Sequence, residues 1–194
     1  PSRPAASNSF AVLLRMTSQM QARKTHSPEE VLAQINSELL TSGLEKENAH
    51  FFYGIIDRRR FSMSFATAGE LTGLVYNHEK GELNNIVKPS DPIHMGRSAS
   101  FEVNNLLLNP SDRLIMCSEG VIQRKNLSGE IFGHERVYKA ILSSVRGNVH
   151  DVRNEILFQN ESFAQGVEPP QDLTVIVVEV KERIIKLARM EPEN

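Results

Sequence analysis

With 194 residues, 40% apolar and 24% charged, the chain has room for one domain with a real core and is too apolar for a disordered tail. A net charge of -2 and a pI near 6.4 argue against a non-specific nucleic-acid surface, which needs a basic face. No run approaches the ~18 apolar residues of a membrane helix.

The single cysteine, Cys117, lies in an apolar run. It rules out an internal disulfide and fits a reducing compartment, the cytoplasm. No signal peptide is visible at Pro1, and the absence of a starting Met suggests an excised piece of a longer protein.

Residues 1 to 8 are rich in Pro, Ala, Ser and Asn and read as a loop or linker. From Ser9, the spacing of Phe10, Leu13, Leu14, Thr17 and Met20 predicts a helix, with Met16 and Met20 in the core. A second helix starts at Ser27-Pro28-Glu29-Glu30. Ser27 is the cap, Pro28 takes the first helical position and Glu30 closes a capping box. Val31, Leu32, Ile35, Leu39 and Leu40 form its apolar face, and Gly43 stops it.

Strands follow. Phe51 to Ile56 is aromatic and β-branched. Asp57 to Arg60 turns the chain, so the basic run Arg58-Arg59-Arg60 is read as a solvated turn rather than a phosphate grip. Phe61, Met63 and Phe65 alternate with small polar residues, as in a half-buried strand that ends at Ala68-Gly69. Leu71 to Asn77 and Leu83 to Val87 form a hairpin about Gly81. Residues 88 to 98 read as a loop, and Phe101 to Leu108 and Leu114 to Ser118 as strands. Two helices are expected next, one after Gly133 carrying Val137, Ile141 and Leu142, one from His150 or Asp151 carrying Val152, Ile156, Leu157 and Phe163. The unbroken run Leu173 to Val180 predicts a strand buried on both faces. The tail from 182 carries Ile184, Ile185 and Leu187 at helical spacing. Helices, then antiparallel strands, then helices and a strand imply an α+β fold with helices layered on sheets.

Two stretches carry candidate chemistry. Asn109 to Val121 is a polar turn and a strand ended by Glu119-Gly120. Pro169 to Val178 is a Pro-rich loop that brings Asp172 to the start of another strand. Carboxylates at strand ends suit a hard divalent cation, which takes oxygen ligands. The alternative is that Glu119 and Asp172 are ordinary strand-end acids. Cys117 has no nearby His and reads as a small hydrophobe. His134 reads as a helix-start residue.

Seven pieces in order resemble the bacterial SpoIIE and RsbU branch of the metal-dependent, type 2C-like serine/threonine phosphatases, over about Ala11 to Val180. They are Ser27-Pro28-Glu29-Glu30-Val31-Leu32 with Ile35-Asn36, Phe52-Tyr53-Gly54-Ile55-Ile56-Asp57, Phe65-Ala66-Thr67-Ala68-Gly69, Pro110-Ser111-Asp112-Arg113-Leu114, Ser118-Glu119-Gly120-Val121, Gly129-Glu130-Ile131-Phe132-Gly133 and Gln171-Asp172-Leu173-Thr174-Val175. The resemblance implies an α-β-β-α sandwich in a domain from 9 to 181, with 1 to 8 as linker and 182 to 194 as tail. It also implies hydrolysis of phosphoserine or phosphothreonine through two Mn2+ or Mg2+ ions that activate a water. Metal ligands would come from Glu119, Gly120 and Asp172, with Glu119 and Asp172 as the catalytic acids. The implied setting is partner-switching signalling or stress response. The implied partner is a phosphorylated regulatory protein of the anti-sigma-antagonist type, with an upstream sensor or receiver domain and a dimer as further options.

The departures from the family pattern fall on its metal set. A Thr-Asp-Gly turn is Ser118-Glu119-Gly120 here. The leading acid of an Asp-Asp/Asn-x-Thr motif is Gln171, which leaves Asp172. The acid expected before the first helix falls on Arg3, the Gly-His-Gly-like turn is Ala6-Ser7-Asn8, and Glu70-Leu71 replaces a His-Pro. Two readings therefore stand: a phosphatase domain of reduced activity, and a pseudophosphatase that binds a partner without catalysis. The family's first strands have no counterpart, so part of a sheet is expected to be missing or supplied from elsewhere.

Overall fold

The computed structural model describes residues 16, 19, 27–40, 48–94 and 99–181. The linker at 1 to 8, the stop at Gly43, Met20 and the tail from 182 lie outside them. Met16 is helical but 57% exposed, not a core residue.

Helix α1 spans Pro28–Leu40. Val31, Leu32, Ile35 and Leu39 are fully buried, one apolar stripe at helical spacing. At its start the Ser27 hydroxyl hydrogen-bonds the Glu29 carboxylate and holds it below the usual range.

Among the described residues, nine strands follow in two main sheets and one short pair. They are β1 Asn48–Ala49, β2 Phe51–Asp57, β3 Ser62–Ala68, β4 Thr72–Asn77, β5 Glu82–Asn85, β6 Ile93–His94, β7 Asn104–Leu107, β8 Arg113–Cys117 and β9 Val175–Glu179. The first main sheet has the order β2-β3-β7, the second β5-β4-β8-β9, and β1 pairs with β6. Every pairing is antiparallel. The β1–β6 pair was not anticipated; two residues in a Pro-rich stretch give no periodic signal. The strand expected from Phe101 shrinks to β7.

Helices α2 Glu119–Ile122, α3 Gly133–Ser144 and α4 Val149–Ala164 lie between β8 and β9. Asn148 caps α4 in a full capping box with Asp151. On α3, Val137 and Ile141 are buried, but Leu142 turns outward.

Strand alternation assigns each residue to a layer. On β3, Ala66 and Ala68 join the α1 core, while Met63 and Phe65 face the other sheet. On β8, Ile115 and Cys117 join the α3–α4 core, while Leu114 packs between the sheets. The order is therefore helix, sheet, sheet, helices: the α-β-β-α sandwich.

The expectation for the last strand also fails. Strand β9 is not buried on both faces. Val175 and Val177 pack on the helices, whereas Ile176 and Val178 are exposed. Burial on both faces needs a covered inner layer, and β9 is an edge strand, as is β2.

Candidate functional site

Antiparallel pairing of β8 with β9 sets Cys117 opposite Val175. The chain leaving β8 therefore meets the chain entering β9 at one end of the sheet. Pairing of β4 with β8 sets Thr72 opposite Cys117, which brings Glu70 and Leu71 to the same end. Glu119, Gly120 and Asp172 thus come from distant parts of the sequence to one corner. Glu119 opens α2, where the sequence reading had a strand end.

Ser118 fastens the corner. Its backbone N–H donates to the Thr174 carbonyl at 2.9 Å. Its hydroxyl donates to the Asp172 carbonyl at 2.9 Å and accepts from the Thr174 N–H at 2.9 Å. That hydroxyl makes no cap bond to α2, because it is already committed to the loop.

Gly120 is required by close approach. A Cβ there would lie 2.6 Å from the Asp172 carbonyl oxygen and 2.9 Å from that of Gln171. These are backbone atoms that the Ser118 bonds hold in place, so they cannot swing aside. The sequence reading placed Gly120 among the metal ligands; its closest neighbours are other backbone oxygens.

Glu119, half-buried, lines a cavity of about 200 Å³ with Glu70, Leu71, Asn85, Val87, Pro89, Gln123 and His134. Asp172 is exposed and is not part of that lining. His134 Nδ1 hydrogen-bonds Thr72 Oγ1 at 3.4 Å, so it sits across from Glu119 rather than only starting a helix. Glu70 is held by its backbone, whose carbonyl accepts from His50 Nδ1 at 2.9 Å. His134 and Glu70 are the cavity residues that the sequence reading did not select. The Gly133-His134 step and the replacement of His-Pro by Glu70-Leu71 were the available signals.

The donor set was tested against the divalent ions that the resemblance implies. Among the described residues, no three His, Cys, Asp or Glu side chains form a group able to hold a metal ion. Gln171 contributes a neutral amide at most, and residues 1–28 contain no Asp or Glu at all. Hard divalent cations depend on several oxygen ligands, carboxylates foremost. The described residues do not by themselves fit a two-ion centre.

Arg113 supports the corner from the other end of β8. Its guanidinium donates to Glu179 Oε2 from Nε at 3.0 Å and Nη2 at 2.9 Å, and to the Val145 and Gly147 carbonyls at 2.9 and 2.6 Å. It ties the α3–α4 turn to both β8 and β9.

Comparison with solved structures confirms the fold. The SiaA-PP2C domain of Pseudomonas aeruginosa superposes with a TM-score of 0.76 at 15% identity, over 87% of this chain and 67% of that one. The RsbU and RsbW domains of a Mycobacterium tuberculosis protein give 0.75 at 16% identity, over 93% and 51%. Protein IcfG of Synechocystis sp. is 24% identical over 132 residues, 67% of this chain; the chain spans about a fifth (20%) of that relative. The family model described as Stage II sporulation protein E (SpoIIE) matches residues 5–181. The chain belongs to the SpoIIE family, whose model it matches over residues 5–181, and it has the fold of PP2C-type phosphatase domains.

Proposed function

We propose that this chain is a pseudophosphatase: a SpoIIE-type domain of bacterial signalling that binds a regulatory protein of the anti-sigma-antagonist type without hydrolysing phosphoserine. The observation that carries the reading is the donor set of the corner. Glu119 and Glu70 share a cavity with His134 and among the described residues no third acid joins them, while Gln171 stands where the resemblance expects a charged ligand. Without bound cations, Glu119 and Glu70 repel a phosphoryl group rather than stabilise its displacement. The domain bounds 9 to 181 and a cytoplasmic setting belong to this reading, the latter with the buried thiol of Cys117.

A second reading, a metal-dependent serine/threonine phosphatase using Glu119, Gly120 and Asp172 with Mn2+ or Mg2+, draws on one feature. The Gln171 and Asp172 carbonyl oxygens crowd Gly120 beside Glu119, so oxygen donors are at hand. Calorimetry with manganese chloride at neutral pH, paired with phosphate release from a phosphoserine protein, separates the two. The pseudophosphatase gives neither micromolar binding nor chelator-sensitive release. Micromolar binding lost in both Glu119→Ala and Asp172→Ala would establish the phosphatase instead.

A further inference from the structure

Helix α2 is a single turn, too short to be stable by itself. Two main-chain bonds close it, from the Val121 N–H to the Ser118 carbonyl at 3.0 Å and from the Gln123 N–H to the Glu119 carbonyl at 2.8 Å. The corner nevertheless depends on it. Glu119 at its start and Gln123 just past its end both line the cavity of about 200 Å³. Ser118 ties the start of the turn to the loop before β9. The end of the turn is tied elsewhere.

That second tie comes from α4. Asn160 is fully buried, and its Nδ2 donates to the Val121 carbonyl at 2.8 Å. Such a carbonyl, at a helix end, has no partner within the helix. The next residue of α4, Glu161, accepts from Arg124 Nη2 at 3.2 Å, and Arg124 is only 3% exposed. Two consecutive residues of one helix thus grip the chain as it leaves α2, one at Val121 and the other at Arg124.

Packing alone does not account for an amide at 160. Burying a carboxamide costs free energy wherever one of its polar atoms goes unpaired. Asn160 Oδ1 and Arg124 Nε are both buried, and among the described residues neither has a hydrogen-bond partner. Val152, Ile156 and Ala164, the other buried residues of α4, are apolar. An aliphatic side chain at 160 would continue their stripe with no polar atom left over. What it would lack is a donor aimed at Val121.

We infer that Asn160 is a positioning residue for the corner. Its amide fixes the one-turn helix, and through that helix holds Glu119 and Gln123 where they line the cavity. Asn160 is not itself part of the lining and acts from α4. The role is the same whether the corner hydrolyses phosphate or only binds a partner.

The test is native-state hydrogen exchange, read by NMR, on the full chain and two variants. Asn160→Leu keeps the branched shape and removes the donor. Asn160→Asp keeps the shape, offers only acceptors at neutral pH and gives Arg124 Nε a partner, which guards against a leucine variant that fails to fold. In the folded variants, exchange of the Gln123 N–H is expected to accelerate about tenfold or more relative to that of Ile115 in β8. The Glu119 and Gln123 amide resonances shift, while those of Arg153 and Asn154, earlier on α4, stay in place. A residue that only stabilises the fold would accelerate exchange at Gln123 and Ile115 by one common factor, and that result overturns the inference. So does unchanged protection of Gln123, since α2 is then held without Asn160.

Discussion

At the scale of single residues, Gly120 and Cys117 make opposite points about what a side chain contributes. Gly120 matters for the atoms it lacks. A methyl group there must displace the Asp172 carbonyl, which would lie 2.6 Å away and which the Ser118 hydroxyl holds in place. Gly120→Ala is expected to lower stability by about 1–3 kcal/mol, the usual cost of overpacking, and to shift the amide resonances of 171–174 more than those of α4. A denaturant melt with amide spectra checks both, and an unshifted loop would show that the clash is relieved elsewhere. Cys117 matters for where it sits. Burial pushes its thiol from an ordinary 9.0 up to about 12, so the native chain carries no thiolate at neutral pH. A thiol reagent should leave it unmodified at pH 8 until the chain is unfolded. Its linkage follows directly: between pH 9 and 12 only the unfolded chain loses this proton. The contribution of this group is therefore constant below pH 9 and turns increasingly against folding as pH rises above it.

Arg113 sets the scale of elements. One guanidinium satisfies a carboxylate on β9 and two carbonyls in the α3–α4 turn, with its side chain only 10% exposed. Arg113→Met keeps the bulk but leaves Glu179 and two carbonyls without their donor. It should cost about 3 kcal/mol, as for other half-broken buried pairs. Arg113→Met with Glu179→Leu should recover part of that loss, which a double-mutant cycle in urea would measure. The elements also show where the sequence was legible. Helix α1 was readable because its cap, its Pro and its apolar spacing agree, and β2, β3, β4 and β8 because their alternation or burial is strong. Strand β9 was misread because an unbroken Val/Ile run is the same letter string whether a face is covered or open, and coverage is set by other chain segments. The short α2 was hidden because the bonds that place it join Ser118 to Asp172 and Thr174, more than fifty positions away. The corner itself was half legible: Glu119, Gly120 and Asp172 do converge, but the cavity partners of Glu119, Glu70 and His134, depend on the β4–β8 register.

The whole molecule has three apolar layers of unequal strength. The helices α2, α3 and α4 and the second sheet share a cluster of eleven buried residues, from Leu74 to Ile156. Among the described residues, helix α1, the first sheet, the β1–β6 pair and Phe101 share nine. Among the described residues the buried cluster between the sheets is Met63, Phe65, Val75, Leu108 and Leu114, and Ile56 and Val178 beside it are 45% and 39% exposed. Stability in such an arrangement divides along its thinnest layer, because little apolar area holds the halves together while each half keeps its own core. The half with α1, β2, β3 and β7 is the smaller, and among the described residues its strand β2 is paired on one side only. Native-state hydrogen exchange followed by mass spectrometry should therefore find α1, β2 and β3 opening at lower free energy than β8, α3 and α4. Uniform protection in the unliganded chain would mean that five inter-sheet residues suffice to make one cooperative unit.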